Sequence, residues 1–370
     1  MHQLKRFQYL DSLRGIAIIL VLLAHTGMQG VNKLPDWFLR ITSVDIGPRG
    51  VQLFFVVSAY TLCLSYAGRK GFEKNPINNF YLRRFFRIAP LFYLATFLYL
   101  YLGFSLENKD FSFLNILTTI TFTNGFFPQY INNIVFGGWS IAVEAFFYLI
   151  FPFLFTFMNS IRKTVLVTFV SIILFQNIRF FFLSLPVVAT TPDLQTYTFQ
   201  FFPSQFPVFL IGMLFYVIHQ KNPTKRERRI VMTFFMLIFI LAISQYIFGV
   251  KVIAGHYIYA LIFGALLHFL HTTHVKLLVN SFTAYVGRIS FSVYLIHTAM
   301  FYLLSYYGIL DTVPQIPILN FFIRFLLVTL LSFAFGSITY YEIERRGISY
   351  GKRIIDGIER KNTQVSSLLK

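Results

Sequence analysis

The chain has 370 residues, of which 56% are hydrophobic and only 12% are charged, and its mean hydropathy is +0.65. A soluble domain is about 45–50% apolar and about 25% charged, so this chain carries too little charge to cover a water-facing surface. The single cysteine, Cys63, excludes an intrachain disulfide and a cysteine-based metal site.

Ten segments are apolar over the roughly 20 residues that a membrane-spanning helix needs. They are predicted at 15–32, 50–67, 88–104, 140–158, 164–184, 203–219, 230–248, 253–270, 286–307 and 318–340. A shorter apolar stretch at 111–127 is predicted to be re-entrant or interfacial. We therefore predict an all-α polytopic membrane protein, with a membrane domain at 1–344 and a basic cytoplasmic tail at 345–370.

The distribution of Lys and Arg predicts which side of the membrane each connecting segment faces. With the N-terminus inside, the basic residues of 69–87, 221–229 and 345–370 are cytoplasmic, and both termini lie inside. Few basic residues fall on the outer side: Lys33, Arg40, Arg49, Lys109 and Lys251. Counting 111–127 as a span would place the basic segment 221–229 outside, and for this reason 111–127 is not counted as a span. The net charge of +18 therefore indicates topology and contact with anionic lipid, not nucleic-acid binding.

Ionisable residues inside predicted spans are candidates for function, because each costs roughly 2.5–3.5 kcal/mol near the bilayer centre. They are His25, Glu144, Arg179, His297 and Arg324.

Arg14 and His25 lie eleven residues apart in LDSLRGIAIILVLLAHTG. In an α-helix this separation is three turns plus about 20°, so the two side chains share one face about 16 Å apart. The pattern predicts a cation near the cytoplasm and an imidazole nearer the outer half. Two plainer interpretations stay open, a helix–helix hydrogen bond for His25 and a topology anchor for Arg14.

Arg83, Arg84 and Arg87 form a basic cluster in NNFYLRRFFRIAPLFY. Arg87 lies four residues after Arg83 and three after Arg84, so these side chains are neighbours on a helix. A guanidinium group binds phosphate bidentately, so the cluster is a candidate phosphate clamp. A topology anchor is the alternative.

Glu144 is the only acidic residue deep in a predicted span. Ser140 and Tyr148 flank it at i−4 and i+4, on one helix face. An isolated carboxylate there must protonate or find a cationic partner. The alternative to a functional role is a structural ion pair with Arg179 or Arg324.

Ser290, Tyr294 and His297 form a polar stripe at i, i+4 and i+7 on an otherwise apolar predicted helix. Packing against another helix through hydrogen bonds is the plainer interpretation. The three histidines of HFLHTTH, at 268–274, are placed in a short cytoplasmic loop without acidic companions, and no metal site is predicted there.

Six segments together resemble the acyltransferase family 3, whose members O-acetylate or O-acylate bacterial surface glycans and some other acceptors. They are LDSLRGIAIILVLLAH, RGVQLFFVVSAY, LRRFFRIAPLFY, GGWSIAVEAFFYLIFP, GRISFSVYLIH and YYEIERRG, in family order. The resemblance extends from Leu10 to about Glu344. One departure is Ser58-Ala59, where family members usually carry Ser-Gly, and alanine leaves less room for close backbone approach.

The resemblance implies roles for individual residues. The family's pattern of an arginine and a histidine separated by ten residues falls on Arg14 and His25, and His25 corresponds to the catalytic histidine. Glu144 is implied as a second catalytic residue. Substrate- and donor-binding residues are then Arg14, Arg83, Arg84, Arg87, Trp139, Ser140, Tyr294 and His297.

The resemblance also implies partners and a location. Acyl-CoA, expected to be acetyl-CoA, is the cytoplasmic co-substrate, and no permanently bound cofactor is expected. The acceptor is expected to be a cell-surface glycan or a lipid-linked glycan, with membrane lipid around the protein. A separate extracytoplasmic partner for the transfer is a further expectation. The protein is expected to lie in the bacterial inner membrane.

Acyl transfer from a thioester to a hydroxyl needs a base and stabilisation of the oxyanion. The hypothesis is that His25 is the base, that Glu144 orients or charges the site, and that Arg14 and the arginine cluster hold the CoA phosphates. A covalent acyl-histidine stays open as a variant. The competing class is a transporter or flippase that uses intramembrane His, Glu and Arg.

Overall fold

The protein is described here by a computed structural model that covers residues 7–30, 34–221, 223–248 and 253–368. Over these residues it consists of helices and connections, without a β-strand. The α-helices are α1 Gln8–Met28, α2 Asp36–Leu39, α3 Gly50–Lys70, α4 Pro76–Glu107, α5 Phe113–Ile120, α6 Gly138–Phe157, α7 Ile161–Ser184, α8 Pro186–Ala189, α9 Pro192–Gln200, α10 Phe202–Gln220, α11 Lys225–Phe248, α12 Gly255–Thr272, α13 Ser281–Tyr306, α14 Pro317–Thr339 and α15 Arg345–Leu368. The predicted all-α class is confirmed.

Each of the ten predicted spanning segments coincides with one long helix. In the part of the chain that the structure describes, eight helices are long and apolar enough to cross a membrane. Two further helices, α11 and α12, match the predicted segments 230–248 and 253–270 but are not among those eight. The multi-pass membrane architecture is thus confirmed, while the total of ten spans and the cytoplasmic termini stay predictions.

The segment at 111–127 does not span. It forms the eight-residue helix α5 and a 3-10 turn at Asn124–Phe126. Eight helical residues extend only about 12 Å, which is far less than the roughly 30 Å of a bilayer's hydrocarbon core. Asn115 and Asn124 are buried in protein, as irregular backbone at membrane depth requires.

Helices α1 and α13 touch backbone to backbone. A Cβ atom on Gly287 would lie 1.7 Å from the carbonyl oxygen of Asp11, and one on Gly15 would lie 2.3 Å from the carbonyl oxygen of Thr283. Only glycine fits at either position, so small residues permit this close approach, as they often do between membrane helices. The contact fixes the register of the two helices that carry Arg14, His25, Tyr294 and His297.

The departure from the family pattern at Ala59 is accommodated by the partner helix. Gly212 of α10 faces α3, and a Cβ added there would lie 2.3 Å from the carbonyl oxygen of Val56 and 2.9 Å from the Cβ of Ala59. The close approach of α3 and α10 therefore depends on a glycine of α10. Alanine at position 59 is fully buried without separating the two helices.

The pairing of α1 and α13 bears on the topology. Thr283 donates a hydrogen bond to Ser12 near the start of both helices, and His25 meets His297 further along both. The two helices are therefore parallel. They are the first and ninth predicted spans, which cross the membrane in the same direction. An additional span at 111–127 would have made them antiparallel.

Cysteine labelling tests the orientation. In a Cys63→Ala background, we expect Lys225→Cys to react with an impermeant maleimide only after the membrane is opened, because the basic cluster around it is predicted to be cytoplasmic. Lys109→Cys, on the predicted outer side, is the matched control and should react in intact cells. Reaction of residue 225 from outside would overturn the topology.

Candidate functional site

A cavity of about 580 Å³ is lined by residues of α1, α3, α4, α6 and α13. Along α3 it is lined from Ser65 to Val51, a helix length of about 21 Å. Near Ser65 it is bordered by Phe7 at the start of α1, and its other end is formed by Ser140 and Tyr294. Three arginines, two carboxylates and several leucine and phenylalanine side chains line the space between, so the cavity offers both cationic and apolar surface to a ligand.

Arg14 lies in the wall of this cavity and is held by two side chains. Its Nη1 donates to Asp11 Oδ1 at 3.2 Å, and its Nη2 donates to Thr61 Oγ1 at 2.8 Å. The helix begins at Gln8, so Arg14 and His25 belong to one continuous helix, as the sequence predicted. The guanidinium group is thus oriented by α1 and α3 before any ligand binds.

Glu144 is a hydrogen-bond acceptor in the middle of the cavity wall. Ser58 donates to its Oε1 at 2.5 Å, and Tyr148 donates to the same oxygen at 2.7 Å. The predicted shared face of Ser140, Glu144 and Tyr148 is confirmed, because all three line the cavity. The alternative of an ion pair with Arg324 is wrong, since Arg324 is engaged elsewhere.

Arg84 and Arg87 of α4 also line the cavity. The Arg84 guanidinium lies 5.9 Å from the ring centroid of Tyr148, a cation–π contact, and its buried Nε has no hydrogen-bond partner among the described residues. Arg87 lies within electrostatic range of Glu144 and Glu344. The unsatisfied Nε–H makes Arg84 the arginine best prepared to receive an anionic group.

Arg83 has a different position. Its two terminal nitrogens donate to the two carboxylate oxygens of Glu73, at 2.6 and 3.1 Å, and it is not among the residues that line the cavity. The bidentate pair occupies the guanidinium fork. A direct role of Arg83 in binding a donor therefore stays a prediction that this geometry does not favour.

The two intramembrane histidines meet. His25 Nδ1 lies 2.7 Å from His297 Nε2, and the rings are stacked with centroids 4.9 Å apart. His297 Nδ1 lies 2.6 Å from the backbone carbonyl of Tyr294, which can only accept, so this nitrogen carries the proton. In neutral His297 the Nε2 must then accept from His25 Nδ1–H. The relay leaves His25 Nε2 with its lone pair, as a base requires.

Tyr294 separates the cavity from this histidine pair. Its hydroxyl lies 2.9 Å from the carbonyl oxygen of Gly137 and 2.8 Å from Ser140 Oγ, and its ring centroid is 5.7 Å from that of His297. Neither His25 nor His297 lines the cavity. Tyr294 therefore interrupts the path from Arg14 to His25 along the helix face that the two residues share.

Trp139 lies behind the cavity wall. It is 7% exposed and packs edge-on against Phe55, with centroids 6.1 Å apart. It does not line the cavity, whereas the next residue, Ser140, does. Trp139 thus supports the start of α6, and a direct contact with substrate stays a prediction.

Sequence reasoning missed Glu344, a carboxylate that is 1% exposed. It accepts a hydrogen bond from Ser292 at 2.8 Å and lies within electrostatic range of Arg87 and Arg14. The signal was present in YYEIERRG, which the resemblance included without assigning a role. Glu344 was overlooked because it lies after the predicted last span at 318–340, beside arginines that indicate a tail.

The histidines at 268–274 are not confined to a loop, which corrects the sequence interpretation. His268 and His271 lie in the last turns of α12. His268 Nδ1 is 2.8 Å from His219 Nε2, and the rings of His219 and His271 stack 4.1 Å apart. No group of three or more potential metal ligands is found among the described residues.

These features define a multi-pass membrane protein with an arginine-lined cavity that ends beside a histidine pair. The acyltransferase family 3 model, described as an acyltransferase domain, matches residues 7–340. The chain therefore belongs to this family, and the predicted class, a membrane acyltransferase, is confirmed. No curated protein and no solved structure is significantly similar to the chain.

Arg324 closes the end of α1 beside the histidine pair. It is 3% exposed, it is paired with Asp311, and it donates to the carbonyl oxygens of Thr26, at 3.0 Å, and Gln29. These carbonyls belong to the last turn of α1 and to the residue that follows it, where helical backbone lacks internal partners. Arg324 is thus a structural cation whose contacts hold the turn that carries His25.

Arg324→Gln should strongly destabilise the protein, because it removes the buried guanidinium group that pairs with Asp311. Breaking a buried pair in this way costs about 3–5 kcal/mol. Arg40→Gln is the matched control, since the pair of Arg40 with Asp45 is exposed and should contribute about 0–1 kcal/mol. Thermal unfolding of both variants in detergent measures the difference. Equal melting temperatures would contradict the assignment.

Proposed function

We propose that the protein is an O-acyltransferase of the bacterial inner membrane that transfers an acyl group, expected to be acetyl, from cytoplasmic acyl-CoA to a hydroxyl of a surface glycan or lipid-linked glycan. The observation that carries the proposal is the order of groups along one path. Arginines line a cavity, two hydroxyls close it, and an imidazole with a free lone pair lies behind them. Family membership favours this enzyme over the transporter or flippase.

The donor binds first in this scheme. Arg14, Arg84 and Arg87 place three guanidinium groups around one cavity, and these groups bind phosphate with charge-assisted hydrogen bonds. Phe54 and Phe55, which line the same cavity on α3, offer apolar surface to the rest of the donor. The thioester then points toward Ser140 and Tyr294.

His25 acts on the acceptor. Its Nε2 takes the proton of the acceptor hydroxyl, the hydroxyl oxygen attacks the thioester carbonyl, and the carbon–sulfur bond breaks. The proton on His25 then passes to the leaving CoA thiolate, so the reaction leaves the enzyme unchanged. His297 keeps His25 in the required tautomer, in the way that a hydrogen-bonded partner orients a catalytic histidine.

Tyr294 must move for this transfer to occur. Its ring lies between the cavity and the histidines, and its hydroxyl is held by Gly137 and Ser140. When a thioester displaces the phenol from the Gly137 carbonyl, the hydroxyls of Tyr294 and Ser140 become free to donate to the developing oxyanion. Glu144 supports the same wall by holding Ser58 and Tyr148.

Donor binding is tested with neighbouring arginines. Arg84→Gln should weaken binding of CoA to the purified protein about 10- to 100-fold, which corresponds to roughly 1.5–3 kcal/mol for a lost charged hydrogen bond. Arg83→Gln removes the same charge one residue away but outside the cavity. It should change stability more than CoA affinity. Calorimetric titration with CoA measures the affinity of both variants. An equal loss of affinity in the two would show that the donor does not bind in the cavity.

The base is tested by His25→Gln, which keeps hydrogen bonding but removes basicity. A positioned general base contributes about 10²–10⁴ in rate, so glycan acylation should fall by at least that factor. His297→Gln should also lower the rate, because the tautomer of His25 is no longer fixed. His268→Gln is the control histidine outside this site and should be active.

The measurement is mass spectrometry of surface glycans from cells with matched membrane levels of each variant. Transfer from labelled acetyl-CoA by purified protein separates the enzyme from a transporter. Wild-type acylation in the His25→Gln variant would exclude His25 as the base.

A further inference from the structure

Helix α15 continues the chain after the last apolar helix and lies along α4. One face follows helical spacing through the half-buried Gly347 and the buried Gly351 and Ile355. A Cβ on Gly347 would lie 2.7 Å from the carbonyl oxygen of Phe86, and one on Gly351 would lie 2.7 Å from the Cβ of the same residue. One face of α15 is thus packed tightly on α4, and the opposite face is free.

A second contact fixes α15 further along, at Glu359. The Glu359 carboxylate accepts from Asn79 Nδ2 at 2.7 Å and from the backbone N–H groups of Lys74, at 3.1 Å, and Asn75, at 3.4 Å. These groups surround the start of α4, where a negative charge complements the helix dipole. The helix is therefore held from Gly347 to Glu359, which orients its outer face over this length.

That outer face carries a groove of about 510 Å³. It is lined by Tyr341, Arg345, Arg346, Ser349, Tyr350 and Arg353. Arg345 lies over the ring of Tyr341, 5.7 Å from its centroid, and Arg346 pairs with Glu342. Arg345 and Arg353 form no ion pair with a described carboxylate. Three guanidinium groups with one carboxylate give the groove a net positive charge.

The chemistry of the groove fits a phosphate group. Guanidinium forks bind phosphate oxygens bidentately, and a hydroxyl such as that of Ser349 adds a donor. Phosphate could come from a lipid headgroup or from a soluble compound. The surroundings favour a lipid, because Phe335, Ile338 and Tyr341 are exposed along the preceding α14 and the turn after it. An acyl chain could lie against this apolar surface while the headgroup occupies the groove.

We propose that Arg345, Arg346 and Arg353 form a binding site for the phosphate of an anionic phospholipid at the membrane end of α15. Tyr350, 58% exposed, borders the headgroup where aromatic residues commonly lie at a membrane interface. The site is separate from the cavity, because the groove residues and Glu344, which faces Arg87, lie on different sides of the chain. It does not depend on the proposed reaction.

The test uses the full chain purified in detergent and native mass spectrometry to count retained lipid. Dioleoyl phosphatidylglycerol should be retained more strongly than dioleoyl phosphatidylcholine. The variant with Arg345→Gln, Arg346→Gln and Arg353→Gln should lose about tenfold in phosphatidylglycerol retention. The control with Lys225→Gln, Arg226→Gln and Arg229→Gln removes the same charge from another exposed cluster and should retain the lipid.

Arg353→Gln alone should show a smaller loss in the same direction, which covers the case of a poorly folded triple variant. Equal retention by the triple variant and its control would show general charge attraction and overturn the site. Equal retention of the two lipids would do the same. Displacement of phosphatidylglycerol by equimolar glycerol 3-phosphate would show that the groove binds a soluble phosphate. It would overturn the proposal that the ligand is a lipid.

Discussion

The backbone contact between α1 and α13 determines the geometry of the site. Gly287 against Asp11 allows no lateral freedom, so positions further along the two parallel helices are in fixed register. Gly15 lies level with Gly287, since a Cβ on Gly15 would be 3.2 Å from the Gly287 nitrogen, and ten residues beyond each, a rise of about 15 Å, His25 meets His297. The same pairing places Arg14 and Tyr294 in one cavity wall. A side chain on Gly287 would therefore disturb both ends of the site, although it touches neither.

The ionisable residues inside the protein are satisfied in three different ways. Arg324 has a carboxylate and backbone carbonyls, so its charge is fully compensated and its role is structural. Glu144 has two hydroxyl donors and faces a cavity, so its charge is available to a ligand. Arg84 has aromatic neighbours and an unsatisfied Nε–H. Because an unsatisfied buried group is costly, Arg84 marks the place where binding of an anion would recover free energy.

Local patterns in the sequence predicted the helices and the residues that share a helix face, because helical periodicity determines both. The face of Ser140, Glu144 and Tyr148 is of this kind. The pairing of His25 with His297 was not predicted, since the two lie 272 residues apart and meet only through the register of α1 and α13. Glu344 was missed for a similar reason. Its neighbours in sequence are exposed arginines, whereas its hydrogen-bond donor, Ser292, lies on another helix.

Separation of the donor cavity from the histidine pair has a chemical consequence. A thioester beside an unshielded base and water would be hydrolysed, and the acyl group would be lost. Here the phenol of Tyr294 lies between them, held by a carbonyl and a hydroxyl that it must leave before His25 can meet the thioester. Two neutral hydrogen bonds hold the Tyr294 phenol only weakly, because each contributes about 0.5–1.5 kcal/mol. The thioester carbonyl of a bound donor can accept the phenol's hydrogen bond in their place. Exclusion of water and admission of the thioester then depend on the same side chain.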